Sequence, residues 1–308
     1  REVRIWDAEK ALVLNIITFH PRPVNALCTY FDEKGKRRMV ISGSDDSNCR
    51  VFDPFYGGSE PAGILRGHTA PVKQVVCFQD TTLRKALTAS SDRTLRLWVL
   101  SYGPCWECET ILTGHSMPVY DVTQFFFNGN SYAVSAGRDR DLRIWCLHSG
   151  SEVGILEGHT AEINAVDSFR RSGEMRLVSG GEDGGIRVWA LDAIFSRKQT
   201  STPPSSSPLA ALSHDGPVTK VHSFQSRVGA ALLICGHAGG CIGVWSLADS
   251  EGAPQRLARL NAHEGEVRVL ETFSTEDGTY VVSAGDGEEN VKVWSRESNV
   301  PIFIGSGH

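Results

Sequence analysis

The sequence lacks a long apolar run and a strong excess of one charge. No hydrophobic stretch approaches the roughly 20 residues that cross a bilayer, so we expect no membrane insertion. There are 31 Lys and Arg residues against 36 Asp and Glu, a formal net charge of −5. Domains that bind nucleic acid are usually strongly basic, so this balance argues against a nucleic-acid partner. The chain opens on the charged segment REVRIWD, with no secretory signal and no initiator Met, and we expect it to be part of a longer polypeptide.

Motifs that bind metals or phosphates are also missing. The single Cys105-x-x-Cys108 pair has no second Cys or His pair at zinc-ligand spacing, and it precedes a strand rather than a helix. The Gly-rich pieces at 180–185 and 237–241 lack the following helix and the Lys-Ser/Thr ending of a phosphate-binding loop. We therefore expect no cofactor, no metal, no catalytic residue and no small-molecule substrate.

The eight cysteines do not form a disulfide-rich pattern. Cys28, Cys77 and Cys235 lie inside apolar runs, where a free thiol packs as a small hydrophobic group. This usage is typical of a reducing compartment. We expect an intracellular protein, cytoplasmic or nuclear, with free thiols.

The sequence does contain a repeat. Seven short β-rich runs each close on an aromatic residue, at intervals of 46, 46, 47, 44, 56 and 49 residues. Self-similarity at a fixed period is the signature of a repeat architecture. The closing aromatics are Trp6, Phe52, Trp98, Trp145, Trp189, Trp245 and Trp294.

Three polar landmarks keep step with these aromatics. A His lies about thirty residues before the aromatic, an Asp lies six before it, and a Ser or Thr lies four before the Asp. At this spacing one hydrogen-bonded chain can join an imidazole, a hydroxyl, a carboxylate and an indole N–H. The three complete sets are His68, Thr88, Asp92 and Trp98; His115, Ser135, Asp139 and Trp145; and His159, Ser179, Asp183 and Trp189.

These landmarks resemble those of the WD-repeat family along the whole chain. The resemblance implies an all-β fold, a β-propeller in which each unit supplies strands to a four-stranded blade. We expect one domain with six complete blades and a partial seventh at residues 1–18, without a helix of any length. The two inner strands of that partial blade are expected to lie outside the chain or to be absent. The complete units are expected at residues 19–66, 67–112, 113–156, 157–212, 213–260 and 261–304.

Three units depart from the pattern and are expected to be the weaker ones. Phe52 cannot donate an indole hydrogen bond. In the sixth unit Cys235 replaces the hydroxyl and Gly239 the Asp, so we expect packing alone to hold this blade. In the seventh, Glu288 stands near the Asp position, with one extra residue in the turn. The Ser/Thr/Pro-rich segment at 195–208 is interpreted as a flexible loop insertion, with Thr-Pro and Ser-Pro pairs open to phosphorylation.

The resemblance further implies that the loops carrying the His and Asp residues gather on one partner-binding face. We expect a non-enzymatic scaffold or adaptor that binds a peptide or protein domain within a multiprotein complex. The recurrent His, Ser or Thr, and Asp residues indicate structure rather than catalysis, because a catalytic triad needs one site. The expected partner-binding residues are Asn25, Asp45, Lys73, Ser91, Tyr120, Arg138, Asn164, Glu182, Thr219 and Arg268.

The charges of this face suggest two sectors. Basic residues belong to units three and four, and acidic residues to units five and seven. Such a face would dock a partner of opposite polarity. The alternative is a solvated rim whose charges contribute little to stability. The residues are Lys73, Arg93, Arg138 and Arg140 on the basic side, and Glu162, Glu182, Glu264, Glu266, Asp286, Glu288 and Glu289 on the acidic side.

Two other functions stay open. One is a substrate-recognition module of a ubiquitin ligase, although the Trp-Asp-x-Arg signature of one ligase-adaptor class is absent, since Trp6-Asp7 is followed by Ala8-Glu9. The other is RNA or chromatin binding through the basic residues, which the net charge disfavours.

Overall fold

The structure is a computed structural model of the chain. It describes residues 2–7, 12–32, 37–55, 60–80, 83–100, 106–171, 173–195, 208–213, 216–225, 231–247, 254–275, 278–288, 290–295 and 301–306. These residues form twenty-six strands and one helical turn. The chain divides into two compact units, the first made of residues 1–139 and 143–153, the second of residues 140–142 and 154–308.

The first unit holds sheets 1 to 3 and most of sheet 4, numbered in chain order. Strands that follow one another in the chain are hydrogen-bonded neighbours in each sheet. Sheet 1 has only two strands, β1 (Val3–Asp7) and β2 (Leu12–Ile17). Sheet 2 contains β3 (Val24–Phe31), β4 (Arg38–Ser44), β5 (Cys49–Phe52) and β6 (Gly63–Leu65); sheet 3 contains β7 (Val72–Asp80), β8 (Leu83–Ser90), β9 (Thr94–Val99) and β10 (Glu107–Thr113); sheet 4 contains β11 (Val119–Phe127), β12 (Asn130–Gly137), β13 (Leu142–Cys146) and β14 (Ser151–Leu156).

The second unit holds sheets 5 to 7, with the same order of strands. Sheet 5 contains β15 (Ile163–Arg171), β16 (Glu174–Gly181), β17 (Gly185–Ala190) and β18 (Ala210–Ser213); sheet 6 contains β19 (Val218–Gln225), β20 (Ala231–His237), β21 (Cys241–Ser246) and β22 (Gln255–Asn261); sheet 7 contains β23 (Val267–Ser274), β24 (Thr279–Gly285), β25 (Asn290–Ser295) and β26 (Phe303–Ser306). The fold class is confirmed: an all-β propeller with six four-stranded sheets and a two-stranded remainder.

Within each unit the core lies between successive sheets because alternate residues of a strand face opposite sides. In β9, Leu95 and Leu97 join a buried cluster with Val119 of the following sheet, whereas Trp98 joins a cluster with Val51 of the preceding one. Close approach of the sheets requires small residues at some positions. A Cβ at Gly43 would lie 2.8 Å from side-chain atoms of Val72 and Val75.

Two sequence-based expectations about the fold are wrong. A single turn of helix, α1 (Asp192–Phe195), follows β17, and it is too short to leave a periodic signal. Cys28 and Cys77 are joined in a disulfide instead of being free thiols. They lie on β3 and β7, the first strands of consecutive sheets, with Cα atoms 6.1 Å apart. Among the described residues, Cys49, Cys108, Cys146, Cys235 and Cys241 are free.

Several predictions stay untested. Residues 196–207 lie outside the described residues, so the interpretation of 195–208 as a flexible loop remains a prediction. So do the division into one domain and the limits of its units. No helix in the described part of the chain is long and apolar enough to span a bilayer.

Candidate functional site

In sheet 3 the structure brings together four side chains from separate elements. His68 lies in the loop before β7, Thr88 on β8, Asp92 in the turn after β8, and Trp98 on β9. The His68 Nδ1 atom is 2.8 Å from Asp92 Oδ2, and Nε2 is 2.7 Å from Thr88 Oγ1. The Trp98 indole N–H donates to the same hydroxyl oxygen at 3.0 Å. We call such a set a tetrad.

Sheet 4 repeats this geometry in the first unit. His115 Nδ1 is 2.8 Å from Asp139 Oδ2, and His115 Nε2 is 2.7 Å from Ser135 Oγ. The Trp145 indole donates to Ser135 Oγ at 2.8 Å. The carboxylate also accepts the backbone N–H of Ser116 at 3.0 Å, so the tetrad ties the entering loop to the turn.

Sheet 5 holds the third complete tetrad, in the second unit. His159 bridges Asp183 Oδ1 at 3.0 Å and Ser179 Oγ at 2.8 Å, and Trp189 donates to Ser179 at 2.9 Å. Arg187 reaches Asp183 at 3.0 Å. Sequence reasoning missed this basic residue, although its signal is present: Arg or Lys stands two residues before most closing aromatics. Arg50 pairs with Asp46 and Lys292 with Glu288 in the same way.

The three variant units also contain polar networks. In sheet 2, His20 contacts Asp46 and Ser42 at 2.9 and 2.7 Å, and Phe52 packs edge-on against Phe19 in place of an indole bond. In sheet 7 Glu288 takes the place of Asp, 3.0 Å from His263 Nδ1, because its longer side chain spans the longer turn. That these sheets are weaker stays a prediction.

Sheet 6 corrects the expectation that packing alone holds it. The Trp245 indole donates to the Cys235 thiol at 3.3 Å, and His237 Nε2 lies 3.3 Å from the same sulfur. The thiol therefore replaces the hydroxyl as acceptor, at the longer distance that a larger atom imposes. His214, which the repeat places in this unit, lies outside the described residues.

In the tetrad of sheet 5, Asp183 and His159 have shifted pKa values that fix their charges at neutral pH. Burial alone would raise the pKa of Asp183, but the backbone N–H groups of Thr160 and Gly185 and the His159 ring outweigh it and lower the pKa to about 2. Burial, followed by the charge of Arg187, lowers the pKa of His159 to about 4. A charged carboxylate thus faces a neutral imidazole, whose Nδ1–H donates to the carboxylate while Nε2 accepts the hydroxyl proton.

The tetrads resemble a Ser–His–Asp triad in composition, but their hydroxyl group is not accessible to a substrate. Ser179 is 0 % exposed, and its oxygen already accepts the indole N–H of Trp189. A nucleophile must reach its substrate, so this arrangement braces the sheet instead of reacting. Within the described residues, no group of three or more His, Cys, Asp or Glu side chains could hold a metal. Cys105 lies outside those residues, so the Cys105–Cys108 pair is not described.

The six expected partner-binding residues of the first strands all occupy β-bulges. In each four-stranded sheet the register between first and second strand shifts across one residue near the start of the first strand. Bulges re-aim a side chain and are common beside functional sites. The bulged residues are Asn25, Lys73, Tyr120, Asn164, Thr219 and Arg268.

In the first unit these residues contact the turns. Asn25 donates from Nδ2 to Asp45 Oδ1 and to the Val72 carbonyl, both at 2.8 Å, and Lys73 Nζ reaches Asp45 Oδ1 at 3.0 Å. Burial opposes the ionisation of Asp45, but hydrogen bonds from Asn25 and Lys73 lower its pKa overall. The other expected residues differ in exposure: Ser91 and Tyr120 are half-buried, and Arg138 is exposed.

The second unit has the same kind of contacts. Asn164 donates to Glu182 Oε1 at 2.8 Å and to the Val218 carbonyl at 3.0 Å. Arg268, whose side chain is 57 % exposed, reaches Asp286 at 2.7 Å and Glu266 at 2.9 Å. Burial raises the pKa of Glu266 against the pull of Arg268.

Thr219 does not lie on the surface where the sequence places it. It is 7 % exposed, and its hydroxyl donates to the Val267 carbonyl of the following sheet at 2.6 Å. Threonine is short enough to be enclosed once its hydroxyl finds an acceptor, so the structure gives it a bridging position.

Two arginines have a backbone conformation that the sequence does not reveal. Arg93 and Arg140, each directly after the tetrad Asp, have φ values of 73° and 72° and are exposed. The equivalent turn of sheet 5 uses Gly184, with φ of 70°. The left-handed region costs a residue with a Cβ about 1 kcal/mol, and glycine occupies it freely.

The structure repeats a four-stranded sheet, and most of these sheets are braced by a buried imidazole, a carboxylate and a hydroxyl or thiol. This arrangement defines a β-propeller built from sequence repeats. A family model described as "WD domain, G-beta repeat" matches residues 12–53, 59–99, 106–146 and 150–190, together more than half of the chain. The chain belongs to the WD-repeat family. Proteins of this family generally mediate protein interactions in complexes.

Short parts of the chain are similar to curated proteins. A U5 small nuclear ribonucleoprotein 40 kDa protein of Dictyostelium discoideum is 32% identical over 98 residues, 32% of this chain and 25% of the relative. A LEC14B homolog of Prunus armeniaca is 33% identical over 98 residues, covering 31% and 20%. Elongator complex protein 2 of Danio rerio is 30% identical over 102 residues, covering 32% and 12%. The matched part therefore spans at most a quarter of these relatives.

Proposed function

We propose that this chain is a non-enzymatic interaction scaffold that binds a peptide or protein domain within a multiprotein complex. The binding residues are the turn residues beside the tetrads and the bulged first-strand residues other than Thr219. Two features support this function: the tetrads hold their ionisable groups inside, and the neighbouring bulges and turns present charged side chains to solvent.

The observation that carries the proposal is the conformation of Arg93 and Arg140. Each is an exposed cation held at positive φ, in a turn position that Gly184 fills without strain. Strained residues concentrate at functional sites because the fold must stabilise them against their local preference. Arginine is also a residue type that contributes strongly to binding energy when a partner covers it.

Charge complementarity defines the partner's chemistry for each unit. In the first unit, Asp45 neutralises Lys73, and we assign recognition of acidic groups to Arg93 and Arg138. In the second unit, we assign recognition of basic groups to Glu182, Glu266 and Asp286. Thr219 positions the neighbouring strand and does not contact the partner.

The names of two relatives support a role within an assembly. One is named as a component of a small nuclear ribonucleoprotein and another as a component of the Elongator complex. We propose a nuclear or cytoplasmic location on the same basis. The ubiquitin-ligase and nucleic-acid functions stay predictions.

An affinity pull-down from the source cell, with quantitative mass spectrometry, tests the proposal. The double variant Arg93→Gly/Arg140→Gly removes two cations and relieves two strained residues. We expect partner recovery to fall about tenfold, which corresponds to about 1.4 kcal/mol. Ser47→Gly is the matched control, since Ser47 occupies the equivalent turn at φ of 69° and carries no charge. Equal recovery with the double variant and with Ser47→Gly would contradict the proposal.

A further inference from the structure

The Cys28–Cys77 disulfide joins strands of two different sheets. β3 and β7 are the first strands of sheets 2 and 3, and the two cysteines lie opposite Ile41 of β4 and Ala86 of β8. Both cysteines are half-buried and pack against the apolar cluster between the sheets. The bond therefore links the two sheets at a point that solvent can approach.

The second unit links its first strands at the same positions by hydrogen bonds. Asp167 has the register position of the cysteine on β3, and Ser223 has that of the cysteine on β7. The Ser223 hydroxyl donates to Asp167 Oδ2 at 2.8 Å. Between sheets 6 and 7, His222 Nε2 lies 3.0 Å from Thr272 Oγ1 at the same two positions. A disulfide responds to a reductant and a hydrogen bond does not, so the covalent link of the first unit is sensitive in a way that these links are not.

Two of the proposed binding residues lie on the strands that the disulfide joins. Asn25 precedes the cysteine of β3 by three residues, and Lys73 precedes the cysteine of β7 by four. Their contacts cross between the sheets. Asn25 Nδ2 donates to the Val72 carbonyl at 2.8 Å, and Lys73 Nζ reaches Asp45 Oδ1 at 3.0 Å. Both contacts depend on the separation of β3 and β7, which the disulfide limits.

Apolar packing holds sheets 2 and 3 together independently of the bond. Val51, Leu65 and Val72 are at most 1 % exposed in the cluster against which the cysteines pack. Cys49 belongs to the same cluster, and burial raises the pKa of its thiol, so it supplies no thiolate that would exchange with the pair. We expect reduction of the disulfide to loosen β3 against β7 while the chain stays folded.

We propose that the Cys28–Cys77 disulfide is a reversible redox link that controls the affinity of the turns and bulges of the first unit for their partner. The inference rests on the proposed function, whose binding residues the link regulates. In the oxidised chain, β3 and β7 are tied together and Asn25 and Lys73 are preorganised. In the reduced chain, these residues lose that constraint and bind more weakly.

The co-reactant is a dithiol. One of its thiolates attacks a sulfur of the disulfide, the S–S bond between Cys28 and Cys77 breaks, and a mixed disulfide forms. The second thiol of the reductant then displaces the protein sulfur. The dithiol leaves as its own disulfide, and the two cysteines take up two electrons and two protons to become free thiols.

The first experiment needs no partner. The amides of Asp45 and Ser91 donate to the carbonyls of Pro23 and Pro71, at 3.0 and 2.9 Å, and so join the turns to the starts of the first strands. We expect dithiothreitol to speed hydrogen exchange of both amides about fivefold in the full chain. Alkylation and mass spectrometry of the same samples should show the disulfide before reduction and two alkylated cysteines after it.

Two variants separate the disulfide from other thiols. Cys28→Ala/Cys77→Ala should exchange at the reduced rate with and without dithiothreitol. Cys146→Ser is the control, since Cys146 is a half-buried free thiol of the first unit, and it should respond as the unmutated chain does. Alkylation of both Cys28 and Cys77 in chain purified without reductant would overturn the proposal, and so would exchange that dithiothreitol leaves unchanged.

The second experiment measures partner recovery in the pull-down. For the proteins that Arg93→Gly/Arg140→Gly fails to recover, we expect Cys28→Ala/Cys77→Ala to lower recovery about threefold, and dithiothreitol to lower it for the unmutated chain but not for this variant. If the arginine variant loses no protein, the proposed function fails. If it loses its partner while the oxidised and reduced chains recover that partner equally, the proposed function stands and the redox link is wrong.

Discussion

Sheets 5 and 6 of the second unit solve the same packing problem with different chemistry. Both bury their closing tryptophan, Trp189 at 0 % and Trp245 at 8 % exposure, and both give its N–H an acceptor. Sheet 5 adds a carboxylate, and sheet 6 has Gly239 at that position. All seven residues of β20 are nonetheless buried. Sheet 6 therefore buries this strand without a carboxylate, and the carboxylate of sheet 5 has another task.

That task is attachment of loops. Asp183 accepts the backbone N–H of Thr160 in the entering loop and of Gly185 after the turn, each at 2.9 Å. In a WD-repeat propeller these loops carry the proposed recognition residues. The comparison implies that the tetrads fix the loops to which we assign recognition, while the apolar faces hold the sheets together.

The largest expected effect comes from removing the carboxylate. Asp183→Ala leaves the buried His159 ring, the half-buried Arg187 and two backbone N–H groups without their shared acceptor, and we expect it to lower the free energy of unfolding by about 4 kcal/mol. Urea denaturation measures this loss in the free energy of unfolding. Glu174→Ala, which removes an exposed carboxylate paired with Arg176, is the control and should cost less than about 1 kcal/mol. A loss of stability as small as that of Glu174→Ala would mean that sheet 5, like sheet 6, does not depend on a carboxylate for its stability.

The next effect is a pH dependence. The pKa of His159 is about 4 in the folded chain, against the ordinary value of 6.5 for a solvated histidine, so the unfolded chain binds the proton more tightly. Stability from this group is complete above pH 6.5 and falls as the pH decreases towards 4, by about 3 kcal/mol. The burial of His20 and His263 lowers their pKa values as well and adds to the same trend.

Urea denaturation at a series of pH values measures this fall. His159→Gln should flatten the curve between pH 6.5 and 4 relative to the unmutated chain, whatever its stability at neutral pH. A parallel curve for the variant would show that His159 does not titrate in this range.

The smallest effect exchanges the acceptors of the two sheets. A sulfur acceptor is weaker than oxygen, so Ser179→Cys should lower the free energy of unfolding by about 1 kcal/mol, whereas Cys235→Ser should leave it within about 0.5 kcal/mol or raise it. Thermal and urea unfolding of both variants measure these two changes in stability. If both exchanges destabilise equally, each sheet is adapted to its own acceptor and oxygen has no general advantage.

The sequence was sufficient for the sheets because their information is periodic. The spacing of aromatics, His and Asp residues carries the resemblance to the WD-repeat family, which implies the six four-stranded sheets. The structure places the three complete sets of His68, His115 and His159 in hydrogen-bonding contact. In three sheets a basic residue, Arg50, Arg187 or Lys292, pairs with the turn acid, and its position two residues before the closing aromatic belongs to the same pattern. Features that repeat at a fixed interval can be predicted from the sequence without knowledge of the contacts.

Other features depend on contacts between sheets, and these have no periodic signal. The burial of Thr219 follows from the position of the Val267 carbonyl, and the Cys28–Cys77 disulfide from two first strands running side by side. The positive φ of Arg140 is equally hidden, because asparagine and glycine, not arginine, are the residues that normally indicate this conformation.

The most direct test of the account is the partner affinity of Asp183→Ala, measured by titration under conditions where the variant stays folded. If the tetrads brace the loops from inside, the variant loses stability and its loosened loops bind the partner more weakly, by about tenfold or about 1.4 kcal/mol. A variant that keeps its stability yet loses binding would make Asp183 a contact residue and contradict the account.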